Sequence, residues 1–303
     1  MNALPRPGRE TAVEMNEPRE IKVPLLFSPG FAKWALLFPV LAYLAVFFAY
    51  PLVKMFIFSL FDPGMTFRHY ARIHQNELYP RVIWVTFRLA LVCTLSALLL
   101  GYPIAYLLNR VSPGVRNILM LCVVLPFWTS LLVRIYAWMV ILGRYGVINS
   151  LLLDLGLTAA PINLLYNTFS VTLGMVHFLL PFMIFALYSA MNGIDKDLVK
   201  AAYNLGAGPF RAFFKIFLPL SLPGVGAGSL IVFILSLGFF ITPALLGGRQ
   251  DLVISMLIEN QVNVQLNWPF ASALGFALLA ATLVLFNIAN RFLGVGRIWG
   301  ARS

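Results

Sequence analysis

Six long apolar segments constrain this chain more than any other feature of its sequence. A transmembrane helix needs about 20 consecutive and mostly apolar residues. Segments of that length and character lie near 34–60, 84–108, 117–142, 169–191, 224–246 and 270–290. We therefore predict an all-α membrane protein with six transmembrane helices.

The composition supports membrane insertion. Charged residues make up only 11% of the 303 residues, hydrophobic residues make up 60%, and the mean hydropathy is +0.87. A soluble domain of this length needs more charge to cover its surface. Residues 1–30 are polar and have no apolar core, so we predict a cytoplasmic tail there, not a signal peptide. The transmembrane domain is then 31–292, followed by a second cytoplasmic tail at 293–303.

The basic residues predict an orientation. The formal net charge is +11, from 22 Lys and Arg against 11 Asp and Glu. Cytoplasmic loops of membrane proteins carry an excess of Lys and Arg. With a cytoplasmic N-terminus, most basic residues fall on the inside, so we predict a multi-pass membrane protein with both termini in the cytoplasm. The same bias accounts for the charge without any nucleic-acid partner.

Cysteine and histidine do not predict a metal site. Cys93 and Cys122 lie within apolar runs and are interpreted as small buried hydrophobes. The three histidines are scattered, and we interpret His177 as a helix-packing residue. One outer loop contains GVINSLLLDLGL, which suits a short helix at the membrane interface.

The segment 192–223, between the fourth and fifth predicted spans, carries the strongest local pattern. Asp195 can cap a helix, and Gly206 is placed to end it. Pro209 can then open a second helix at its first position. We predict a helix–turn–helix on the cytoplasmic surface, and we expect Pro219 and Pro223 to close it before the fifth span.

The first of these two helices has an apolar face at helical spacing, formed by Leu198, Ala201, Ala202 and Leu205. A small exposed patch at Ala201 and Ala202 can seat in a groove of another protein. An amphipathic helix that lies on lipid headgroups is the alternative, and the basic residues nearby favour it. The residue pattern alone does not choose between the two.

The stretch KAAYNLGAGPFRAFFKIFLPLSLPG resembles the EAA loop of permease subunits of ABC importers. That motif runs Glu-Ala-Ala, then Gly, then Ile-x-Leu-Pro. The matching residues here are Ala201, Ala202, Gly206, Ile216, Leu218 and Pro219. Its first position is Lys200 in place of Glu. The stretches PFWTSLLVRIYAW, INLLYN, LPFMIFALYSAM and FFITPALLGG are similar to the spermidine/putrescine branch of this family.

This resemblance implies a type I importer transmembrane-domain fold with a cytoplasmic EAA coupling loop, located in the bacterial inner (plasma) membrane. The loop is expected to dock on a dimer of ATP-binding-cassette ATPase subunits. The residues expected there are Lys200, Ala201, Ala202, Leu205, Gly206, Ala207, Ile216, Leu218 and Pro219. A second homologous permease, expected as a heterodimer partner, and a periplasmic solute-binding protein complete the assembly. Since this chain lacks a Gly-rich loop ending in Gly-Lys-Ser/Thr, we expect it to be non-catalytic and to bind no cofactor, with ATP and Mg used by the ATPase.

The implied solute is a polyamine, although the predicted spans contain no Asp or Glu. Aromatic faces or carboxylates would suit such a cation. The candidate pathway residues are Trp128, Arg134, Tyr136, Trp138 and Glu259. The aromatic ones are also typical membrane anchors, Asp251 and Glu259 are typical solvated loop acids, and Arg134 suits snorkelling or pairing with helix carbonyls. An importer of an anionic or zwitterionic solute, such as an opine or an amino-acid derivative, therefore stays open.

Two other functional classes fit less well. A membrane-embedded metalloprotease needs His-Glu-x-x-His, which is absent, and the Gly226 to Ser229 stretch is not followed by the glycine that a serine nucleophile motif requires. A secondary transporter or channel often shows intramembrane acids or internal repeats, and neither is evident. Co-purification with an ATPase would separate these classes.

Overall fold

The computed structural model describes residues 29–61 and 64–293, which are predominantly helical. In chain order the helices are α1 (Pro29–Leu44), α2 (Tyr50–Leu60), α3 (Arg68–Gln75), α4 (Leu78–Arg110), α5 (Pro113–Val124), α6 (Leu131–Leu142), α7 (Val147–Asp154), α8 (Thr168–Asn192), α9 (Lys196–Asn204), α10 (Pro209–Ala212), α11 (Leu218–Leu237), α12 (Ile241–Leu246), α13 (Ile254–Asn263) and α14 (Trp268–Leu293). The two predicted tails lie almost wholly outside the described residues.

The prediction of six spans is confirmed by the length and apolar composition of the helices. Within the described residues, six helical stretches are long and apolar enough to cross a membrane. They are Leu37–Leu60, Leu78–Arg110, Leu131–Asp154, Thr168–Asn192, Pro209–Leu237 and Trp268–Ile288. The chain divides after Lys54 into two units. In the first unit the side chains described, from Leu37 onward, are almost all exposed, as expected where lipid or another protein covers them.

The predicted bounds of the third span were wrong. The helix expected near 117–142 is interrupted by a 3-10 turn, Leu125–Trp128, and then by extended backbone at Thr129. Pro126 lies in that turn and removes one backbone donor, which favours the break. The third candidate span is Leu131–Asp154, and it includes the α7 stretch that we expected at the membrane interface.

The fifth span also begins earlier than predicted. A π-helical turn, Phe213–Phe217, joins α10 to α11, so Pro219 and Pro223 do not end the helix. Pro219 lies in the first turn of α11, and Pro223 is accommodated within it. The chain leaves the helix only at Gly238, and the residues expected at the end of this span form the separate helix α12.

Helices α4, α8 and α11 pack against one another and form the centre of the second unit. Gly224 and Gly228 of α11 face α8 so closely that a Cβ at Gly228 would lie 2.8 Å from the Met183 sulfur, and one at Gly224 would collide with Ala190. Small residues at such contacts let two membrane helices approach closely. The stripe of small residues therefore places the fifth span directly against the fourth.

The interpretation of the cysteines was right for one and wrong for the other. Cys93 is fully buried, with its Sγ 3.9 Å from the Met175 sulfur. Cys122 is exposed, because α5 stands apart from the α4–α8–α11 centre and buries none of its residues.

Candidate functional site

The segment between α8 and α11 begins with a capped helix, as predicted. The Asp195 side chain accepts a hydrogen bond of 2.9 Å from the backbone N–H of Asp197, which otherwise has no partner in the first turn of α9. Such an N-cap also places negative charge at the positive end of the helix dipole. The start of α9 is thus determined by local chemistry.

The end of α9 is a glycine turn, also as predicted. Gly206 has φ +82°, a left-handed conformation that favours glycine. Its N–H donates to the Tyr203 carbonyl at 2.9 Å, and the Ala207 N–H donates to the Ala202 carbonyl at 3.0 Å. This pair of bonds is the Schellman motif. Pro209 then opens α10 at its first turn, which completes the predicted helix–turn–helix.

The exposed face of α9 differs from the prediction at Ala202. Ala202 is buried, and Val199 packs against the main core beside it. These residues are three apart, so they share the inner side of the helix, whereas Leu198, Ala201 and Leu205 lie on the outer side. Ala202 therefore anchors α9 and cannot be part of an exposed patch.

The outer apolar side chains of this segment form what we call the α9–α10 ridge, defined as Leu198, Ala201, Leu205 and Phe210. Leu205 is 88% exposed and Phe210 is 80% exposed, although both are large and apolar. Exposed apolar side chains concentrated at a turn are typical of a contact surface for another molecule.

Lys200, which stands where the motif has Glu, forms an ion pair on the surface of α9. Its Nζ lies 2.8 Å from the Asp197 carboxylate, and both side chains are largely exposed. The hydrogen bond from Lys200 lowers the pKa of Asp197, and the same bond raises the pKa of Lys200. Both groups are therefore charged at neutral pH, and a cation occupies this position of the motif.

The remaining motif residues lie at the junction of α10 and α11. Ile216 and Leu218 are half-buried and Pro219 is exposed. Their neighbours Phe213 and Phe217 both meet the Tyr106 ring of α4 edge-on, with ring centres 5.3 Å and 5.1 Å away. The segment is thus joined to the second span as well as to the fifth.

A second cluster forms where α6 faces α8, and it contains two of the predicted pathway residues. Trp138 donates its indole N–H to His177 Nδ1 at 3.0 Å, so the helix-packing role predicted for His177 is confirmed. The Arg134 guanidinium lies 5.1 Å from the centre of the Phe178 ring, a cation–π contact. Arg134 Nε is buried and makes no hydrogen bond to any described residue.

Aromatic rings extend this cluster along α8. Phe178 contacts Phe182 and Phe127, and it meets the Phe239 ring edge-on at 5.3 Å. The sequence prediction missed these phenylalanines because apolar residues surround them in the chain. Only the packing of the 3-10 turn before α6 and of the loop before α12 against α8 brings them together.

The other predicted pathway residues lie apart from the cluster. Trp128 is 87% exposed on its 3-10 turn, and Tyr136 is exposed on another side of α6 from Arg134. Glu259 is half-buried on α13 and accepts a hydrogen bond from Asn263 at 3.1 Å. It is one helical turn from Ser255, whose hydroxyl donates to the Phe239 carbonyl at 2.7 Å, so α13 connects Glu259 to the edge of the aromatic cluster.

Asp251 is not the solvated loop acid that the sequence suggested. It is 1% exposed and accepts hydrogen bonds from the Thr168 hydroxyl at 2.5 Å and from the Gly248 N–H at 3.0 Å. These bonds tie the loop after α12 to the start of α8. A buried carboxylate that is hydrogen-bonded in this way holds structure and is unavailable to a passing solute.

Comparison with known proteins identifies the family. Residues 79–294 match the family described as "Binding-protein-dependent transport system inner membrane component". The chain is 40% identical over 232 residues to the spermidine/putrescine transport system permease protein PotB of Haemophilus influenzae, covering 76% of this chain and 81% of that protein. It is 37% identical over 232 residues to PotB of Escherichia coli K12, covering 75% and 84%.

Solved structures share the fold. A bacterial ABC transporter involved in the import of the acidic polysaccharide alginate superimposes with a TM-score of 0.69 at 22% identity, over 89% of this chain and 96% of that one. The MetNI methionine ABC transporter gives 0.55 at 17% identity, over 71% and 94%. The predicted importer transmembrane-domain fold is confirmed, and the chain belongs to the family of binding-protein-dependent transport system inner membrane components.

Proposed function

We propose that this chain is the permease subunit of an ATP-driven polyamine importer and forms half of its translocation pathway. The relatives named as spermidine/putrescine permeases support the solute, since they are 37–40% identical over most of the chain. The observation that carries the transport role is the α9–α10 ridge, because large apolar side chains at an exposed turn need a partner.

A protein groove suits the ridge better than a lipid surface. A helix that lies on headgroups buries an apolar stripe along its length. Here the most exposed apolar side chains, Leu205 and Phe210, flank the turn between α9 and α10. An apolar tip of this kind fits a groove, and in this assembly the groove belongs to an ATPase dimer that binds ATP and Mg.

The connections of the segment allow motion at the ridge to reach the membrane. The fifth span runs from Pro209 to Leu237, so a displacement of α10 moves that span directly. Phe213 and Phe217 pass the displacement to α4 through the Tyr106 ring. ATP favours one of two global states by binding it more tightly, and the ridge is the contact through which that preference acts.

The assembly has further partners. A second homologous permease subunit encloses the other half of the pathway, and a periplasmic solute-binding protein delivers the solute. The excess of basic residues supports an orientation with both termini and the ridge in the cytoplasm.

The aromatic cluster beside α8 supports a polyamine solute. Phe127, Phe178, Phe182 and Phe239 offer apolar faces for methylene groups and π faces for ammonium groups. Arg134 is the observation that favours a second candidate, an anionic or zwitterionic solute, since its Nε makes no hydrogen bond to the described residues.

The coupling role is tested with Leu205→Glu, which places a charge at the tip of the ridge. Loss of a buried interface anchor typically costs about 2 kcal/mol or more, so we expect at least a tenfold drop in the ATPase recovered with the tagged chain from detergent-solubilised membranes. Leu157→Glu is the matched control, because Leu157 is 67% exposed in the loop after α7. Full ATPase recovery with Leu205→Glu would refute the coupling surface.

The solute is tested by uptake into proteoliposomes that contain the complete complex and its binding protein. We expect ATP-dependent uptake of radiolabelled putrescine or spermidine, without competition from opines or amino-acid derivatives. Uptake of an anionic solute in place of polyamines would support the second candidate. Uptake without ATP by this chain alone would identify a secondary transporter or channel and refute the importer.

A further inference from the structure

A polar cavity lies between α3 and the start of α14, on the opposite side of the membrane from the α9–α10 ridge. The second, third and fourth spans separate α3 from α9, and three crossings place the two on opposite sides. The cavity measures about 370 Å³. It is lined by Arg68, His69, Arg72, Gln75 and Asn267.

The cavity has the chemistry of an anion site. Arg68 and Arg72 are four residues apart on α3, so their guanidinium groups project from one face of the helix. Arg72 lies 4.7 Å over the Phe270 ring, which positions it at the cavity wall. Within the described part of the chain neither arginine forms an ion pair. Two neighbouring arginines that are not paired with a carboxylate suit a phosphate, which accepts hydrogen bonds from several N–H groups at once.

Neutral donors complete the lining. The Asn267 side-chain oxygen accepts the backbone N–H of Phe270 at 3.1 Å, which fixes the amide at the start of α14. Its NH₂ group is thereby left to donate to an occupant of the cavity. Gln75 lies one turn beyond Arg72 on the same helix and adds a second amide.

The surroundings of the cavity place it at the level of lipid headgroups. Trp268 is 52% exposed at the first position of α14, where the sixth span begins. Leu266 is 71% exposed beside Asn267, and Phe67 is 65% exposed beside Arg68. Exposed aromatic and apolar residues at the end of a span mark the boundary between headgroups and hydrocarbon. The phosphate groups of lipid headgroups are abundant at that depth.

We propose that this cavity binds the phosphate of an anionic phospholipid headgroup, with Arg68 and Arg72 as its ligands. A zwitterionic lipid presents the same phosphate beside a cation, and the two arginines disfavour that cation. The site thus selects anionic lipid and fastens the ends of the second and sixth spans to one leaflet. It is independent of the solute and of the α9–α10 ridge.

The experiment uses the full chain, purified in detergent, delipidated and titrated with phosphatidylglycerol or phosphatidylcholine under native mass spectrometry. We expect tighter binding of phosphatidylglycerol, and about tenfold weaker binding of it by the double variant R68Q/R72Q, since each basic residue near an anionic surface contributes measurably. The matched control is R81Q/R249Q, which removes two exposed arginines of the same side that do not line the cavity. It should bind phosphatidylglycerol within about twofold of the unmodified chain.

A second variant guards against a folding defect. Gln75→Glu keeps both arginines and the Arg72–Phe270 contact, and its added negative charge should also weaken phosphatidylglycerol binding. Equal binding by R68Q/R72Q and R81Q/R249Q would overturn the proposal. So would displacement of the lipid by millimolar inorganic phosphate, which would indicate a free-anion site. If R68Q/R72Q bound phosphatidylglycerol normally but no longer docked the solute-binding protein, the cavity would be a site for a protein carboxylate. That result would also refute the lipid proposal.

Discussion

Gly206, Ala202 and Asp251 illustrate how single residues acquire their roles in this chain. Gly206 is required by the backbone itself, since φ +82° is strained for any side chain with a Cβ. Ala202 and Asp251 have roles that depend on their neighbours, because the first is buried against the core and the second is hydrogen-bonded beneath a loop. The residue type predicted the role of Gly206, but it did not predict the roles of Ala202 and Asp251.

Replacing Gly206 with Pro should abolish solute uptake while leaving membrane insertion intact. Proline holds φ near −65° and has no N–H, so it cannot adopt the left-handed turn or donate to Tyr203. Uptake by the reconstituted complex and the amount of chain in the membrane are the two measurements. Gly208→Ala is the matched control, since Gly208 has φ −67° and open space around its Cβ position. Normal uptake by Gly206→Pro would show that the turn has no part in coupling.

Replacing Trp138 with Phe should lower the thermal stability of the chain in detergent. The substitution removes the indole N–H and leaves His177 Nδ1 without its donor, which costs about 1 kcal/mol. We expect the unfolding midpoint to fall by roughly 2–4 °C. Trp84→Phe provides the comparison, because Trp84 is 67% exposed. Equal midpoints for the two variants would mean that the Trp138–His177 bond contributes nothing.

At the scale of the elements, the contact between α8 and α11 depends on glycine. Gly224 faces Ala190, and Gly228 faces Met183, so the two helices meet almost backbone to backbone. The same α11 continues from the π-helical turn at Phe213–Phe217. Isolated π-helical turns occur frequently at functional sites. The fifth span is thus held tightly to the fourth near its middle and is connected to the ridge at its start.

Gly224→Ala should destabilise this contact by about 1–3 kcal/mol, the usual cost of overpacking a core. A Cβ at that position would collide with the Ala190 side chain, and neither backbone can move easily. Gly275→Ala in α14 is the matched control, since nothing lies within 4 Å of its Cβ position. At that position alanine should be neutral or slightly stabilising, because alanine has a higher helix propensity than glycine. The unfolding midpoints of the two variants are compared in the same detergent. An equal loss of stability in both variants would contradict the packing argument.

At the scale of the whole molecule, the second, third and fourth spans separate two surface sites that have different chemistry. The ridge and its ion pair lie on one face, and the cavity of Arg68 and Arg72 lies on the other. The positive-inside rule assigns the ridge to the cytoplasm. This assignment is a prediction of orientation that can be measured directly.

Cysteine labelling of intact cells should report that orientation. In a Cys122→Ser background, a membrane-impermeant maleimide should label Leu157→Cys from outside and should reach Leu205→Cys only after the cells are opened. Leu157 and Leu205 are both well exposed, so the reagent can reach either position from its own side of the membrane. Cys93 is fully buried, so it should not be labelled. Labelling of Leu205→Cys in intact cells would invert the topology and separate the ridge from any cytoplasmic ATPase.

The sequence by itself determined those features that depend on local chemistry or on average polarity. Six apolar stretches require six membrane helices because lipid cannot satisfy an open backbone. The Asp195 cap, the Gly206 turn and the Pro209 start were predictable because each depends on hydrogen bonds and dihedral angles within a few residues. The EAA-like spacing predicted the family for the same reason, since that motif is read along the chain.

Only the tertiary structure decided which faces are buried. In a chain that is 60% hydrophobic, apolar character does not distinguish a core residue from one that faces lipid. Ala202 was therefore assigned to the wrong face, and the ring cluster around Phe178 was missed. Proline was also an ambiguous signal, because the helix breaks at the turn that contains Pro126 but continues through Pro219 and Pro223. Packing, which joins residues distant in the chain, determined the burial of Ala202 and the ring contacts of Phe178.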